Sequence, residues 1–143
     1  MVKKGQKVQL SELQLAIMRV LWERQEATTA EVTAALEAER GLAHTTVATL
    51  LTRLEKRGVV AQRRDSRTWI YRTLLSESEV RRSMVAELVA SLFSGDSAEL
   101  LAHLVREDEI HPGDLQRVRE RLAGSPDGGT ERRTEIRNEN RDE

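Results

Sequence analysis

The stretch that decides the fold runs from Ala43 to Gly58 and reads AHTTVATLLTRLEKRG. Its apolar residues recur at the spacing i, i+3, i+4 and i+7, which forms one stripe along an α-helix. They are Val47, Leu50, Leu51 and Leu54. Gly58 follows two basic residues and stands where a left-handed residue would end a helix. The stretch therefore predicts an amphipathic helix.

The other side of this predicted helix is unusual for a face that is merely solvated. It carries threonines at 45, 49 and 52, then Arg53 and Lys56, and almost no acid. Threonine is a poor helix former, so its exposure here brings no gain in packing. Short hydroxyls beside a guanidinium suit an approach to phosphates and base edges. We interpret the stretch as a recognition helix, with a solvated surface helix as the alternative.

The charge of the chain is unevenly distributed. The formal net charge is −1, but residues 41–75 hold seven Lys and Arg against two Asp and Glu, a net charge of +5. The segments on either side of this window are neutral or acidic. A local basic surface matters more for DNA binding than the charge of the whole chain. The distribution therefore favours nucleic acid as the partner of this window.

Two capping boxes precede the recognition helix. Ser11 with Gln14, and Thr28 with Glu31, predict helices over about residues 11–24 and 29–39. A short connection then joins the second helix to the recognition helix. This order of elements is typical of a helix-turn-helix.

After Gly58 the apolar period changes from 3.6 to 2. Residues 59–64 and 68–73 predict two strands, joined by a three-residue turn at 65–67. Trp69 and Tyr71 share a strand face, and we expect both rings to pack in a small core. The tip is basic, and we predict that it contacts phosphates rather than only solvent. Its cations are Arg63, Arg64 and Arg67.

Three further amphipathic helices follow. They are predicted to begin at about residue 77, after a capping box at Ser76, then at Asp96 or Ser97, and after a break at 109–113 that contains Pro112. Their apolar stripes are too large to be buried on a domain of this size, so a homodimer is expected. The predicted interface comprises Val80, Met84, Leu88, Leu92, Leu101, Leu104, Val105, Leu115, Val118 and Leu122.

These elements predict a mainly α protein with a small β-hairpin. A flexible basic arm at 1–9 precedes a winged helix-turn-helix domain at 10–75. A helical dimerisation domain follows at 76–124, and a disordered polar tail at 125–143.

Several functions find no support in the sequence. The chain has no cysteine, and its three histidines lack the spacing of metal ligands. It contains no phosphate loop or nucleophile motif, and no apolar run of the length of a membrane span. We therefore expect no cofactor, no metal, no enzymatic activity and no membrane partner, and a cytoplasmic location.

Five segments together carry a resemblance over about residues 8–124. They are 10–14 (LSELQ), 20–22 (VLW), 45–47 (TTV), 51–58 (LTRLEKRG) and 69–71 (WIY). This pattern resembles the penicillinase repressor (BlaI/MecI) family. The resemblance implies a winged-helix domain, a helical dimerisation domain, and repression at a pseudo-palindromic operator in double-stranded DNA. It also implies groove-facing roles for Thr45, Thr46, Thr49 and Arg53.

The chain departs from the family pattern in two places. Copper-responsive relatives carry a cysteine motif near the C-terminus, and this chain has no cysteine. β-Lactam-responsive relatives are cut by a sensor protease at an Asn-Phe bond, and the aligned pair here is His103-Leu104. A sensor protease of the β-lactam-sensing type is thus an implied partner whose cleavage site is altered.

The sequence as a whole predicts a dimeric winged-helix repressor. The alternative is a winged-helix module that binds another protein through the same polar helix face. The charge of +5 in residues 41–75 favours DNA.

Overall fold

The computed structural model describes residues 7–124, which form six α-helices and three short β-strands. The protein is therefore mainly helical with a small antiparallel sheet, as predicted. It divides into two compact units, of which the first ends at Gly95 and the second begins at Asp96.

The first unit opens with three helices. They are α1 (Glu12–Arg24), α2 (Thr29–Arg40) and α3 (His44–Lys56). The predicted capping boxes at Ser11 and Thr28 are both confirmed, since each side chain accepts a hydrogen bond from the N3 backbone and the N3 side chain bonds back. Each box satisfies backbone donors that the first turn of a helix leaves without a partner.

The apolar stripe of α3 faces the core of the first unit. Val47, Leu51 and Leu54 are fully buried. Gly41 ends α2 in the left-handed conformation, with φ of 58°, and this short turn brings α3 against the other helices. The other core residues of α1 and α2 are Ala16, Ile17, Met18, Val20, Leu21, Val32 and Leu36.

A three-stranded antiparallel sheet in the order β1-β3-β2 packs on this core. Its strands are β1 (Ala27–Thr28), β2 (Val60–Asp65) and β3 (Thr68–Thr73). The predicted three-residue turn is wrong, because Asp65 pairs with Thr68 and leaves a turn of two residues. Ser66, the first of the two, has φ of 61°. The two-residue strand β1 was not predicted.

Of the two aromatic rings predicted to pack together, only one lies in the core. Tyr71 is 5% exposed and pairs with Ala27 of β1. Trp69 shares its strand face but is 41% exposed. The prediction is wrong for Trp69 because this residue lies two positions nearer the hairpin tip, where β1 has ended.

The helix α4 (Glu77–Leu92) belongs to the first unit. Val80 is 1% exposed within the same core, and Met84 packs against that core. The indole Nε1 of Trp22 donates to the Leu75 carbonyl at 2.9 Å, just before α4 begins. The unit boundary therefore lies after α4, at Gly95, and not at 75–76 as predicted.

Residues 7–9, predicted as the end of a flexible arm, are held against the first unit. Val8 is buried, and its backbone N–H donates to Ser83 Oγ at 2.7 Å. The Gln9 carbonyl accepts a hydrogen bond from Arg57 Nη2 at 2.9 Å. An apolar residue in the arm, which the sequence interpretation overlooked, explains the difference. The remainder of the predicted arm and the predicted tail at 125–143 lie outside the described residues.

The second unit contains α5 (Ser97–Arg106) and α6 (Pro112–Ala123). Asp96 caps α5 by accepting a hydrogen bond from the Ala98 backbone N–H at 3.0 Å. No residue of α5 is fully buried. Exposed apolar side chains lie on both helices, at Leu101, Val105, Leu115, Val118 and Leu122.

The place of α4 in the first unit gives a testable expectation about fragments. A fragment ending at residue 75 loses Val80 from the core, Met84 from the layer packed against it, and the Ser83 hydroxyl that accepts from the Val8 N–H. Burying one aliphatic side chain stabilises a protein by about 1.5–3 kcal/mol. The free energy of unfolding of the fragment ending at residue 75 should therefore be lower, by about 2 kcal/mol or more, than that of a fragment ending at Gly95. Urea unfolding followed by circular dichroism measures the difference. Equal unfolding midpoints for the two fragments would place α4 outside the core.

Candidate nucleic-acid interface

The outer face of α3 carries a compact set of polar and basic side chains. At about 100° per residue, five exposed residues lie on one side of the helix, opposite its buried stripe. They are Thr45, Thr46, Thr49, Arg53 and Lys56. Thr52 lies beside them, but its hydroxyl donates to the Ala48 carbonyl at 2.9 Å. That hydroxyl is used within the helix.

The N-terminus of α3 lacks the side-chain cap that four of the other helices in residues 7–124 have. Side chains cap α1, α2, α4 and α5, whereas Ala43 precedes α3 and offers no side-chain hydrogen bond. The first turn of α3 also contains no acidic residue. Its backbone N–H groups and the positive end of the helix dipole therefore remain available to an anion such as a phosphate.

The cations on the outer face of α3 are not engaged in ion pairs by residues 7–124. Arg53 and Lys56 are exposed, and no ion pair found within residues 7–124 includes either of them. The stretch thus presents two positive charges on the same face as the threonines. Direct readout of bases requires such donors on the face of a helix.

The hairpin β2–β3, called the wing from here on, places its arginines in different environments. Arg63 donates to both carboxylate oxygens of Glu26, with Nη2 at 2.9 Å from Oε1 and Nε at 3.3 Å from Oε2. The hydrogen bond from Arg63 lowers the pKa of Glu26, and the same contact raises the pKa of Arg63. Both side chains are about half exposed, so the pair adds little to stability.

Arg64 and Arg67 lie nearer the tip of the wing. The Arg64 guanidinium carbon lies 5.2 Å from the centre of the Trp69 ring, within the range of a cation–π contact. Its Nε also donates to the Ser66 carbonyl at 3.4 Å. Arg67 occupies the turn and is exposed, and across the described part of the chain it forms no ion pair.

The structure thus distributes the predicted site residues over two elements of the first unit, α3 and the wing. Sequence reasoning missed Glu26 as the partner of Arg63, and Trp69 as the partner of Arg64. No local signal identifies Glu26, because it lies 37 residues from Arg63 in sequence. The contact between residues 64 and 69 could have been predicted if the two-residue turn had been known, because that turn sets a register in which they lie opposite each other.

Helices α1–α3 followed by a wing define the winged-helix class, in which the second helix of the helix-turn-helix reads DNA. The family described as the penicillinase repressor matches residues 10–124. The chain belongs to the penicillinase repressor family, as the resemblance indicated. It is a DNA-binding transcriptional repressor and, by family, not an enzyme.

Named relatives are similar to most of this chain. The transcriptional regulator BlaI of Mycobacterium tuberculosis (strain ATCC 25618 / H37Rv) is 41% identical over 98 residues, which cover 67% of this chain and 71% of that protein. The methicillin resistance regulatory protein MecI of Mammaliicoccus sciuri is 20% identical over 111 residues, which cover 78% of this chain and 90% of that protein. The solution structure of monomeric Bacillus licheniformis BlaI with the blaP half-operator is 28% identical in sequence. The match covers 52% of this chain and 90% of that chain, with a TM-score of 0.46.

The described residues contain neither a candidate metal site nor a single helix suited to cross a membrane. Between residues 7 and 124, no three His, Cys, Asp or Glu side chains are grouped so that they could hold a metal ion. No single helix in this range is long and apolar enough to cross a membrane; α4 and α5 reach that length and composition only when taken together across a break.

Proposed function

We propose that the protein is a sequence-specific repressor that binds a pseudo-palindromic operator as a homodimer. The observation that supports this most is the outer face of α3, where exposed threonines and cations lie opposite an apolar stripe packed in the core. This face has the composition that base and phosphate contacts need, and it lies on a helix fixed by the core.

In this proposal α3 enters the major groove of each half-site. Thr45, Thr46 and Thr49 contact base edges or nearby phosphates near the N-terminus of the helix, where the uncapped N–H groups also meet the backbone. Arg53 reads a base, because a guanidinium fits the two acceptors of guanine. Lys56 and the wing residues Arg64 and Arg67 contact the flanking phosphates. Arg63 is already held by Glu26 and is not assigned a phosphate in this proposal.

A second copy of the chain is the proposed partner of the exposed apolar side chains. Leu101 and Val105 on α5 are more than half exposed, and three residues of α6 are similarly exposed. Apolar side chains arranged in this way are typical of a protein interface. The proposed interface retains Leu88, Leu92, Leu101, Leu104, Val105, Leu115, Val118 and Leu122. Val80 and Met84 are left out of the proposed interface, because Val80 is buried in the core of the first unit and Met84 packs against that core.

We also propose that the protein acts in the cytoplasm and that loss of the second unit ends repression. The peptide bond between His103 and Leu104 lies inside α5. A protease binds its substrate in an extended conformation, so cleavage at this bond requires α5 to unfold locally. A sensor protease of the β-lactam-sensing type remains a proposed partner, provided that α5 unfolds locally to admit it.

Substitution of Arg53 tests the reading face of α3. For each half-site, Arg53→Ala should weaken binding to the operator by about 1–3 kcal/mol and relax specificity at one base pair, because one bidentate base contact is lost. Fluorescence anisotropy with an operator selected from bound genomic DNA, and with single-base variants of it, measures both effects.

A matched control removes the same charge elsewhere. Arg82→Ala alters an exposed arginine on α4, and it should change operator affinity little and specificity not at all. Unchanged operator affinity for Arg53→Ala would mean that another face of α3 meets the DNA.

A further inference from the structure

We propose that Trp69 positions Arg64 on the wing for a phosphate contact, while the adjacent Arg63 takes no part in DNA binding. This inference rests on the proposed function, and it assigns different roles to two neighbouring arginines that the sequence grouped together. It also assigns a role to an exposed indole that the core does not use.

The register of the wing separates the two arginines. Arg64 pairs directly with Trp69, and Arg63 pairs with Ile70. Directly paired residues of an antiparallel sheet project from the same face, and successive residues from opposite faces. Arg64 and Trp69 therefore share the face of the buried Tyr71, on which the helical core packs, and Arg63 projects from the other face.

Two contacts restrain the Arg64 side chain, and one of them is made by Trp69. The indole lies under the guanidinium at 5.2 Å, and the turn carbonyl of Ser66 accepts from Arg64 Nε. A flexible arginine loses rotamer freedom when it binds a phosphate, and a side chain that is already restrained loses less. The terminal guanidinium nitrogens take no part in the contact with Ser66, so they remain available as donors.

The positive charge of Arg63 is already balanced by an ion pair with Glu26. Glu26 accepts two hydrogen bonds from it in a side-by-side arrangement, the same arrangement that a phosphate would offer. The contact runs from β2 to the residue just before β1, across the outer face of the sheet. It links the wing to the connection between α1 and β1, which is a structural role.

The salt dependence of binding distinguishes the two arginines. Each phosphate contact contributes about 0.9 to the slope of log K against log salt. Arg64→Ala should reduce the slope by about one unit per wing, and Arg63→Ala, which removes the same charge one residue away, should leave it unchanged. An equal loss of slope in both variants would overturn the inference, as would no loss in Arg64→Ala.

The role of Trp69 is tested by a double-mutant cycle on operator affinity. Trp69→Leu should weaken binding about two- to five-fold for each wing, the worth of one exposed cation–π contact, whereas Trp69→Phe should retain most of the affinity. In the Arg64→Ala background, Trp69→Leu should have no further effect. A loss of the same size in both backgrounds would show that Trp69 acts without Arg64.

Two controls separate this inference from its alternatives. Thermal melting of each variant should match that of the intact protein, because Trp69 lies outside the core and the half-exposed ion pair of Arg63 with Glu26 adds little to stability. If the intact protein binds no operator selected from genomic DNA, the proposed function fails. If it binds but the cycle shows no coupling, only the role of Trp69 fails.

Discussion

Leu101→Asp should lower the affinity for a complete operator by about 10²- to 10⁴-fold without altering any residue of α3 or the wing. In a dimer, binding of one half-site makes binding of the second an intramolecular event, and the resulting effective concentration commonly raises affinity by this factor. Leu101 is 53% exposed, so a carboxylate there should leave the isolated chain folded. In the proposed interface the same carboxylate would be buried without a partner, which is strongly unfavourable.

The expected result has two independent measurements. Sedimentation should show a dimer for the intact chain and a monomer for Leu101→Asp and Leu104→Asp, and anisotropy should show that single half-sites bind all three alike. The matched control is His103→Asp, which adds a carboxylate to the polar side of α5 and should leave the dimer intact. A monomeric intact protein would overturn the proposed dimer.

Leu51→Ala should lower the free energy of unfolding by about 2–5 kcal/mol, the range for a fully buried leucine whose removal leaves a cavity. Leu51 is 0% exposed and lies on the buried stripe of α3, so the cavity opens directly behind the reading face. For a unit of this size the melting temperature should fall by at least about 8 °C. Differential scanning calorimetry measures the shift.

The neighbouring residue supplies the control for this cavity. Thr52→Ala changes an exposed position one residue further along α3, and alanine is the better helix former. Its melting temperature should therefore equal or slightly exceed that of the intact protein. If Leu51→Ala melted at the same temperature as Thr52→Ala, the stripe of α3 would not be part of the core.

The elements that the sequence predicted correctly are those with local causes. Each capping box depends on two residues three positions apart, and all three predicted boxes are present, at Ser11, Thr28 and Ser76. The stripe of α3 follows from its own spacing. Helix boundaries agree within one or two residues, because caps and left-handed turns fix them within a few positions of the chain.

The features that the sequence could not predict depend on contacts between distant segments. The two residues of β1 become a strand only because β3 lies beside them, and a dipeptide carries no periodicity. Val80 repeats an apolar pattern that fits either a dimer interface or a core, and only the packing of α4 decides between them. The ion pair between Arg63 and Glu26 likewise joins two exposed side chains, and the local sequence around neither residue indicates that they pair.

The absence of fully buried residues in α5 has a consequence for the lifetime of the protein. A helix with few buried apolar contacts opens locally at low free-energy cost, and each opening exposes the bond between His103 and Leu104 to proteolysis. A second copy that covers Leu101 and Val105 would suppress these openings, and DNA would favour the paired form. Proteolysis should therefore degrade monomers that are not bound to DNA first. The concentration of free protein should then fall before operator-bound dimers are lost.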